Sequence, residues 1–308
     1  MKKIILLTLS LLLVCATLLG LTACVTPDGT TDAGTSQGGS QGGEPDGEVT
    51  LSGQVNVKFF KVGKANATLI RSGDIAILVD TGDEKDEDTN NKQDDGEKIL
   101  AYLAEKGVTE LDYVIISQFN KKHYGSLSTI LEGVTVKNVI EPSYAKTGTS
   151  YDDYRAALAK ANITPEVVKT TKELTAGGLK LTLYPTSKTT TSADLDEFYS
   201  LAIAVESNGL DLLIASDIFG ARIPELITAL GGKTFDILQV PKHGAFDDQV
   251  ESLIDAVSPK YAVIFASVNN PADTRTLNLL SEKNITTYVT MNGSVEAKYK
   301  NSELTIKQ

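Results

Sequence analysis

Cysteine and histidine are the scarcest chemistry-bearing residues in this chain of 308 residues, with two of each. Cys15 lies inside an apolar leader and Cys24 closes it, so the body that follows has no thiol for a disulfide or a thiolate metal site. Anything that body binds is held by His, Asp, Glu, Asn or backbone groups. Its only imidazoles are His123 and His243. Positive charge is also short, with 29 Lys and Arg against 40 Asp and Glu and a formal charge of −11. Broad nucleic-acid binding needs cations facing phosphates, and an acidic body does not favour it. The chain has no Ser-His-Asp nucleophile pattern, no glycine-rich phosphate cradle and no repeat of solenoid length.

What is present begins with an address. Met1-Lys2-Lys3 is basic, residues 4–21 are apolar, and Leu21-Thr22-Ala23 leads into Cys24. That order is the pattern of a bacterial lipoprotein signal, cleaved before the cysteine and acylated on it. The expected organisation is a signal peptide over 1–23, a flexible tether over 24–48 and one domain over 49–308. Cleavage removes Lys2 and Lys3 and leaves the mature chain two units more acidic. The tether is rich in Gly, Ser, Thr and Gln and lacks the apolar residues that offset ordering entropy. About 25 such residues span roughly 25–30 Å. The expected location is the outer face of the cytoplasmic membrane. The expected partners are that membrane, through the lipid, and an extracellular ligand or small substrate that the sequence does not name.

The domain reads as alternating strands and helices. Residues 49–62, 67–71, 74–79, 111–117 and 134–140 carry strand patterns, with helices over 96–106, 127–131 and 151–161. The second half repeats the rhythm, with strands over 179–184, 201–205, 210–215, 235–240, 261–266, 287–290 and 295–299 and helices over 223–230, 250–257 and 274–282. Polar motifs follow the strands, where sites gather in α/β architectures. Two such halves, each lending one edge to a shared cleft, account for two histidines so far apart. Asp86, Asp88, Asn90, Asp94 and Glu97 fall at an EF-hand-like spacing, but a strand precedes the run and Gln93 replaces the usual apolar residue. The run therefore reads as a solvated acidic loop.

The segments 57–63, 67–70, 77–82 and 117–125, in that order, resemble the metallo-β-lactamase-like fold. Leu212-Leu213-Ile214-Ala215-Ser216-Asp217, Leu238 to Gly244 and Ser258 to Ile264 continue the likeness. The branch it most resembles is the extracellular hydrolase-like domain of the competence channel protein ComEC. The resemblance covers about residues 55–308 and implies an α/β, four-layer αββα sandwich of two βα halves with a metal cleft at one edge. It implies hydrolysis by one or two divalent ions that acidify water and polarise a phosphoryl or acyl oxygen. Where the family has His-x-His-x-Asp-His, this chain has Gln118, Asn120, Lys122 and His123; Gly125 remains and Ser126 stands for a second glycine. Asp217 matches the second-half aspartate, and Lys242-His243-Gly244 stands for His-His-Gly.

Amide oxygens are weak zinc ligands, so Gln118 and Asn120 empty the first ion position. Two readings of the second position follow. Either it holds no metal, with Lys122 paired to Asp217 or Asp80 as counter-charge, or His123, Asp217 and His243 hold one ion, zinc or manganese. Asp80-Thr81-Gly82 is first a turn, and the resemblance gives Asp80 a supporting role behind the ligands. Gly63-Lys64-Ala65-Asn66 is also first a turn. The expected function is a surface-tethered lipoprotein with a degenerate metal site, weakly active or a non-catalytic binding module. The alternative is a metal-dependent extracellular hydrolase of phosphodiesterase type.

Overall fold

Two β-sheets face each other at the centre of the domain. A computed structural model of the chain describes residues 53–85, 94–190 and 195–308. The leader, Cys24, the tether and the acidic positions Asp86, Asp88 and Asn90 lie outside the described residues. The first sheet is built by β1 (Val55–Phe59), β2 (Thr68–Ser72), β3 (Ile75–Val79), β4 (Glu110–Ile115), β5 (Thr135–Pro142) and β6 (Glu166–Val168). Between them run helices α1 (Asp95–Glu105), α2 (Lys121–Tyr124), α3 (Leu127–Gly133) and α4 (Thr149–Lys160). The second sheet follows with β7 (Lys172–Ala176), β8 (Leu179–Tyr184), β9 (Ala202–Glu206), β10 (Leu212–Ile214), β11 (Ile237–Gln239), β12 (Tyr261–Ile264) and β13 (Thr286–Val289). Its helices are α5 (Leu195–Tyr199), α6 (Arg222–Leu230), α7 (Asp248–Val257) and α8 (Thr274–Glu282). The chain then returns to the first sheet with β14 (Val295–Lys300) and β15 (Glu303–Lys307), and β14 pairs antiparallel with β1.

The layers follow from strand alternation. In β8 to β12, Leu181, Leu183, Ile203, Val205, Ile237 and Val263 pack in one cluster with Val57, Phe59, Leu69 and Ile77 of the first sheet. Phe59 and Phe265 meet across the two sheets with ring centroids 6.1 Å apart. The alternate residues Ala204, Leu213, Leu238, Ala262 and Ile264 pack instead with Leu226 of α6, Leu253 of α7 and Leu280 of α8. A period of two thus puts one face of each strand on the partner sheet and the other on helices. Fully burying each such aliphatic side chain contributes about 1.5–3 kcal/mol. The result is the αββα sandwich that the sequence implied. Among the described residues, no helix is long and apolar enough to cross a membrane.

Some elements depart from the sequence reading. The first strand is shorter, at Val55–Phe59, and β6, β7, β15, α2 and α5 were not expected. Within the acidic run, Asp94 caps α1: one oxygen accepts from Gly96 N at 2.7 Å and the other from the Thr129 hydroxyl. Capping groups of this kind satisfy orphan N–H donors at a helix start.

Candidate metal centre

The site sits where strands end. β3 and β4 pair parallel, as do β10 and β11, so their C-terminal ends open on one edge of the sandwich. Asp80 follows β3, Ser117 and Gln118 follow β4, Ser216 and Asp217 follow β10, and His243 follows β11. Asp80, Ser216, Lys242 and His243 all have positive φ, at 57°, 50°, 48° and 57°. Left-handed backbone at a non-glycine residue costs about 1–3 kcal/mol and persists where surrounding structure imposes it. Here the strain falls on the residues that line one cleft. His123 is carried by α2, whose start is capped by Asn120 Oδ1 accepting from Lys122 N at 3.1 Å.

A buried network fixes the His123 ring. Asp80 Oδ1 accepts from Ser117 N at 2.7 Å, and Oδ2 accepts from Ser117 Oγ and His123 Nδ1, both at 2.8 Å. Ser117 Oγ and Ser216 Oγ lie 2.6 Å apart and tie the two halves together beneath the cleft. Neither serine was singled out from the sequence; the only signal was that each opens a motif at the end of an apolar strand. With Nδ1 engaged, His123 presents Nε2 to Asp217 Oδ2 at 3.2 Å. His243 Nε2 lies 3.4 Å from the same oxygen. One ligand atom from each of His123, Asp217 and His243 falls within 4.8 Å of the others.

The electrostatics follow from burial and proximity. Burial opposes charge on His123, but Asp80 and Asp217 outweigh it and raise its pKa from 6.5 to about 10. Burial also pushes the Asp217 carboxyl up, yet His243 and His123 hold it well below 3.8. Gln118 completes the cluster: its Nε2 donates to Asp217 Oδ2 at 2.6 Å and lies 2.5 Å from His123 Nε2. That second approach is a hydrogen bond only for the neutral ring protonated at Nδ1. Protonation puts an N–H on both ring nitrogens, so the imidazolium gives up this contact while the amide keeps its bond to Asp217.

Three buried polar atoms at the centre have no partner among the described residues: Gln118 Oε1, Asp217 Oδ1 and His243 Nδ1. An unsatisfied buried acceptor costs about 1–3 kcal/mol. Two imidazoles and a carboxylate, with the unpartnered Gln118 oxygen beside them, fit a single divalent cation with open positions. They do not fit two ions. Asn120 Oδ1 is used as the helix cap, and no other histidine exists in the chain.

The expected pairing of Lys122 concerns Asp217 and Asp80, two carboxylates whose partners among the described residues are Ser117, Gln118 and the histidines. On α2 the buried face belongs to His123 and Tyr124, and the Gln118 amide already stands beside Asp217. The neighbouring lysines are also engaged: Lys121 with Asp83 at 3.4 Å and Lys242 with Glu197 at 2.7 Å. In the Lys242-His243 pair it is therefore His243 that reaches Asp217, while the Lys242 ammonium also sits 4.1 Å from the Phe219 ring centroid.

Beside the cluster lies a cavity of about 260 Å³ lined by Gln118, Asn120, Lys146, Asp196, Glu197 and Asp217. Lys146 pairs with Asp196 at 2.6 Å, and the Tyr144 hydroxyl donates to Asp196 at 2.7 Å while accepting from Phe119 N. Burial and Asp196 push the Tyr144 phenol up, so it stays neutral. This wall of Tyr144, Lys146 and α5 carboxylates was not foreseen. Its residues lie in segments with neither strong periodicity nor a motif.

An αββα sandwich with a His–Asp–His cluster at the ends of its parallel strands defines a class of metal-binding hydrolase-like folds. The chain belongs to the metallo-beta-lactamase superfamily, whose model matches residues 61–268. It is 25% identical over 265 residues to ComE operon protein 3 of Bacillus subtilis, covering 82% of this chain and 34% of that protein. It is 28% identical over 210 residues to Recombination protein 2 of Haemophilus influenzae, covering 68% of this chain and 24% of that protein. The chain thus spans about a third or less of these relatives. Among solved structures, the metallo-beta-lactamase fold protein YhfI from Bacillus subtilis aligns with a TM-score of 0.52 at 14% identity, over 82% of this chain and all of that one. The metallo hydrolase Igni18 from Ignicoccus hospitalis aligns with a TM-score of 0.50 at 15% identity, over 83% of this chain and 99% of that one. These two likenesses are of fold.

Proposed function

We propose that this chain is a surface-tethered lipoprotein whose metallo-β-lactamase-type cleft holds one divalent ion, zinc or manganese, and works as a binding module with at most slow hydrolysis. One observation carries the reading: His123, Asp217 and His243 bring ligand atoms within 4.8 Å of one another, while Asn120 is taken up in a helix cap. The ion would supply Lewis acidity toward water and a phosphoryl or acyl oxygen. Asp80 holds the His123 ring in its ligating orientation, and the lining of the adjacent cavity positions a small polar ligand. Lys146 and Lys242 both spend their charge on carboxylates, so the cleft offers them to no polyanion. This supports a small ligand over nucleic acid.

A second reading, an extracellular metal-dependent hydrolase of phosphodiesterase type, is favoured by the likeness to the competence and recombination proteins. Two measurements separate the readings. Elemental analysis of the purified chain after exposure to zinc, manganese and iron should give one ion per chain, absent in His123→Ala. A chain without ion refutes both readings. Turnover of bis-p-nitrophenyl phosphate at rates ordinary for an enzyme, lost with the ion, would replace the binding module with the hydrolase.

A further inference from the structure

Gln118 occupies the family's first histidine position, yet its side chain is fully inside the His–Asp–His cluster and 1% exposed. Its Nε2 lies 2.6 Å from Asp217 Oδ2 and 2.5 Å from His123 Nε2, among the atoms an ion would touch. Its Oε1 is buried and has no partner among the described residues. An N–H group aimed at a dication is repelled, whereas an amide oxygen is a ligand. Only the last torsion of the side chain separates the two arrangements, and such a terminal torsion is broad and nearly two-fold.

We infer that Gln118 is a fourth metal ligand: ion binding turns its amide over and brings Oε1 to the cation beside His123, Asp217 and His243. This rests on the one-ion reading above. In the metal-free chain the amide N–H holds the ion's place by donating to Asp217. In the loaded chain the orphaned oxygen acquires its partner. A carbonyl-type oxygen in place of an imidazole suits a harder cation and moves the site's preference from zinc toward manganese.

The test uses the full-length chain in detergent, titrated calorimetrically with manganese and, separately, zinc. Gln118→Met keeps the volume and removes the ligand, and Gln118→Glu restores an oxygen. Gln118→Met should weaken manganese by at least about tenfold, since even supporting groups around a metal contribute 10–100-fold. Gln118→Glu should recover it. Manganese affinity in Gln118→Met within twofold of the parent overturns the inference and leaves the one-ion reading standing. No binding by the parent chain overturns both. A readout free of variants guards against misfolding: the Gln118 side-chain amide resonances should move on zinc addition as the N–H to Asp217 is lost. Resonances unchanged at one equivalent of bound zinc overturn the inference.

Discussion

Asp80 concentrates three hydrogen bonds on one buried carboxylate and sets which nitrogen of His123 faces the cleft. Asp80→Asn removes the charge but keeps the shape. It should cost about 3–5 kcal/mol in urea unfolding, the range for breaking a buried pair from one side. It should also weaken metal binding 10–100-fold. The His123 pKa is raised above its unfolded value, so its contribution to stability in the metal-free chain is complete below pH 6.5 and is lost as pH climbs through about 10. Asp217 is shifted the other way, so its contribution is present above its ordinary range and lost as pH falls below it. Urea midpoints of the metal-free chain should therefore decline between pH 6.5 and 10, and His123→Asn should flatten that decline. A parent curve no steeper than the variant's would contradict the assignment. The grouping of His123, Asp217 and His243 was legible because histidine is so scarce. The place of the Gln118 amide beside Asp217 was not, because it depends on how the end of β4 meets the end of β10.

The short helix α2 is pressed against the loop after β3. A Cβ on Gly125 would meet Lys121 O at 2.5 Å, Glu84 N at 2.8 Å and Asp83 Cα at 3.0 Å, all backbone atoms. Gly125→Ala should therefore destabilise by about 1–3 kcal/mol, as overpacking does. Because the displaced element carries His123, ion affinity should fall together with the urea midpoint. Loss of stability with unchanged affinity would show that α2 moves as a unit without disturbing the ring. The regular elements that the sequence revealed, such as β8 and α8, have a strong period and a buried face. Three that it concealed are sheet edges: β6 ends the first sheet on one side, β15 on the other, and β7 ends the second. Edge strands face solvent along one side, and theirs carry charges such as Glu166, Lys172, Glu173, Glu303 and Lys307. The alternation that betrays an interior strand is faint there.

The domain is closed by its own ends, with β1 hydrogen-bonded to β14 and Phe59 registered opposite Val295. Removing residues 295–308 strips one neighbour from β1 and deletes the buried Val295 and Ala297. The truncated chain should lose cooperative unfolding by circular dichroism, whereas deleting residues 1–48 should leave the thermal midpoint unchanged. If acylation at Cys24 holds the protein at the membrane, Cys24→Ala should move it from the membrane fraction to the soluble one, and continued sedimentation with membranes would refute the anchor. The β1–β14 pairing also governs timing. A ribosome makes β1 long before its second neighbour, with Lys58 and Glu296 separated by 238 positions, so for most of the domain's synthesis the larger sheet has a raw flank. The β1 edge stays open until β14 emerges, and pairings this remote in sequence form slowly. That interval is when a chaperone would find the flank of β1 open.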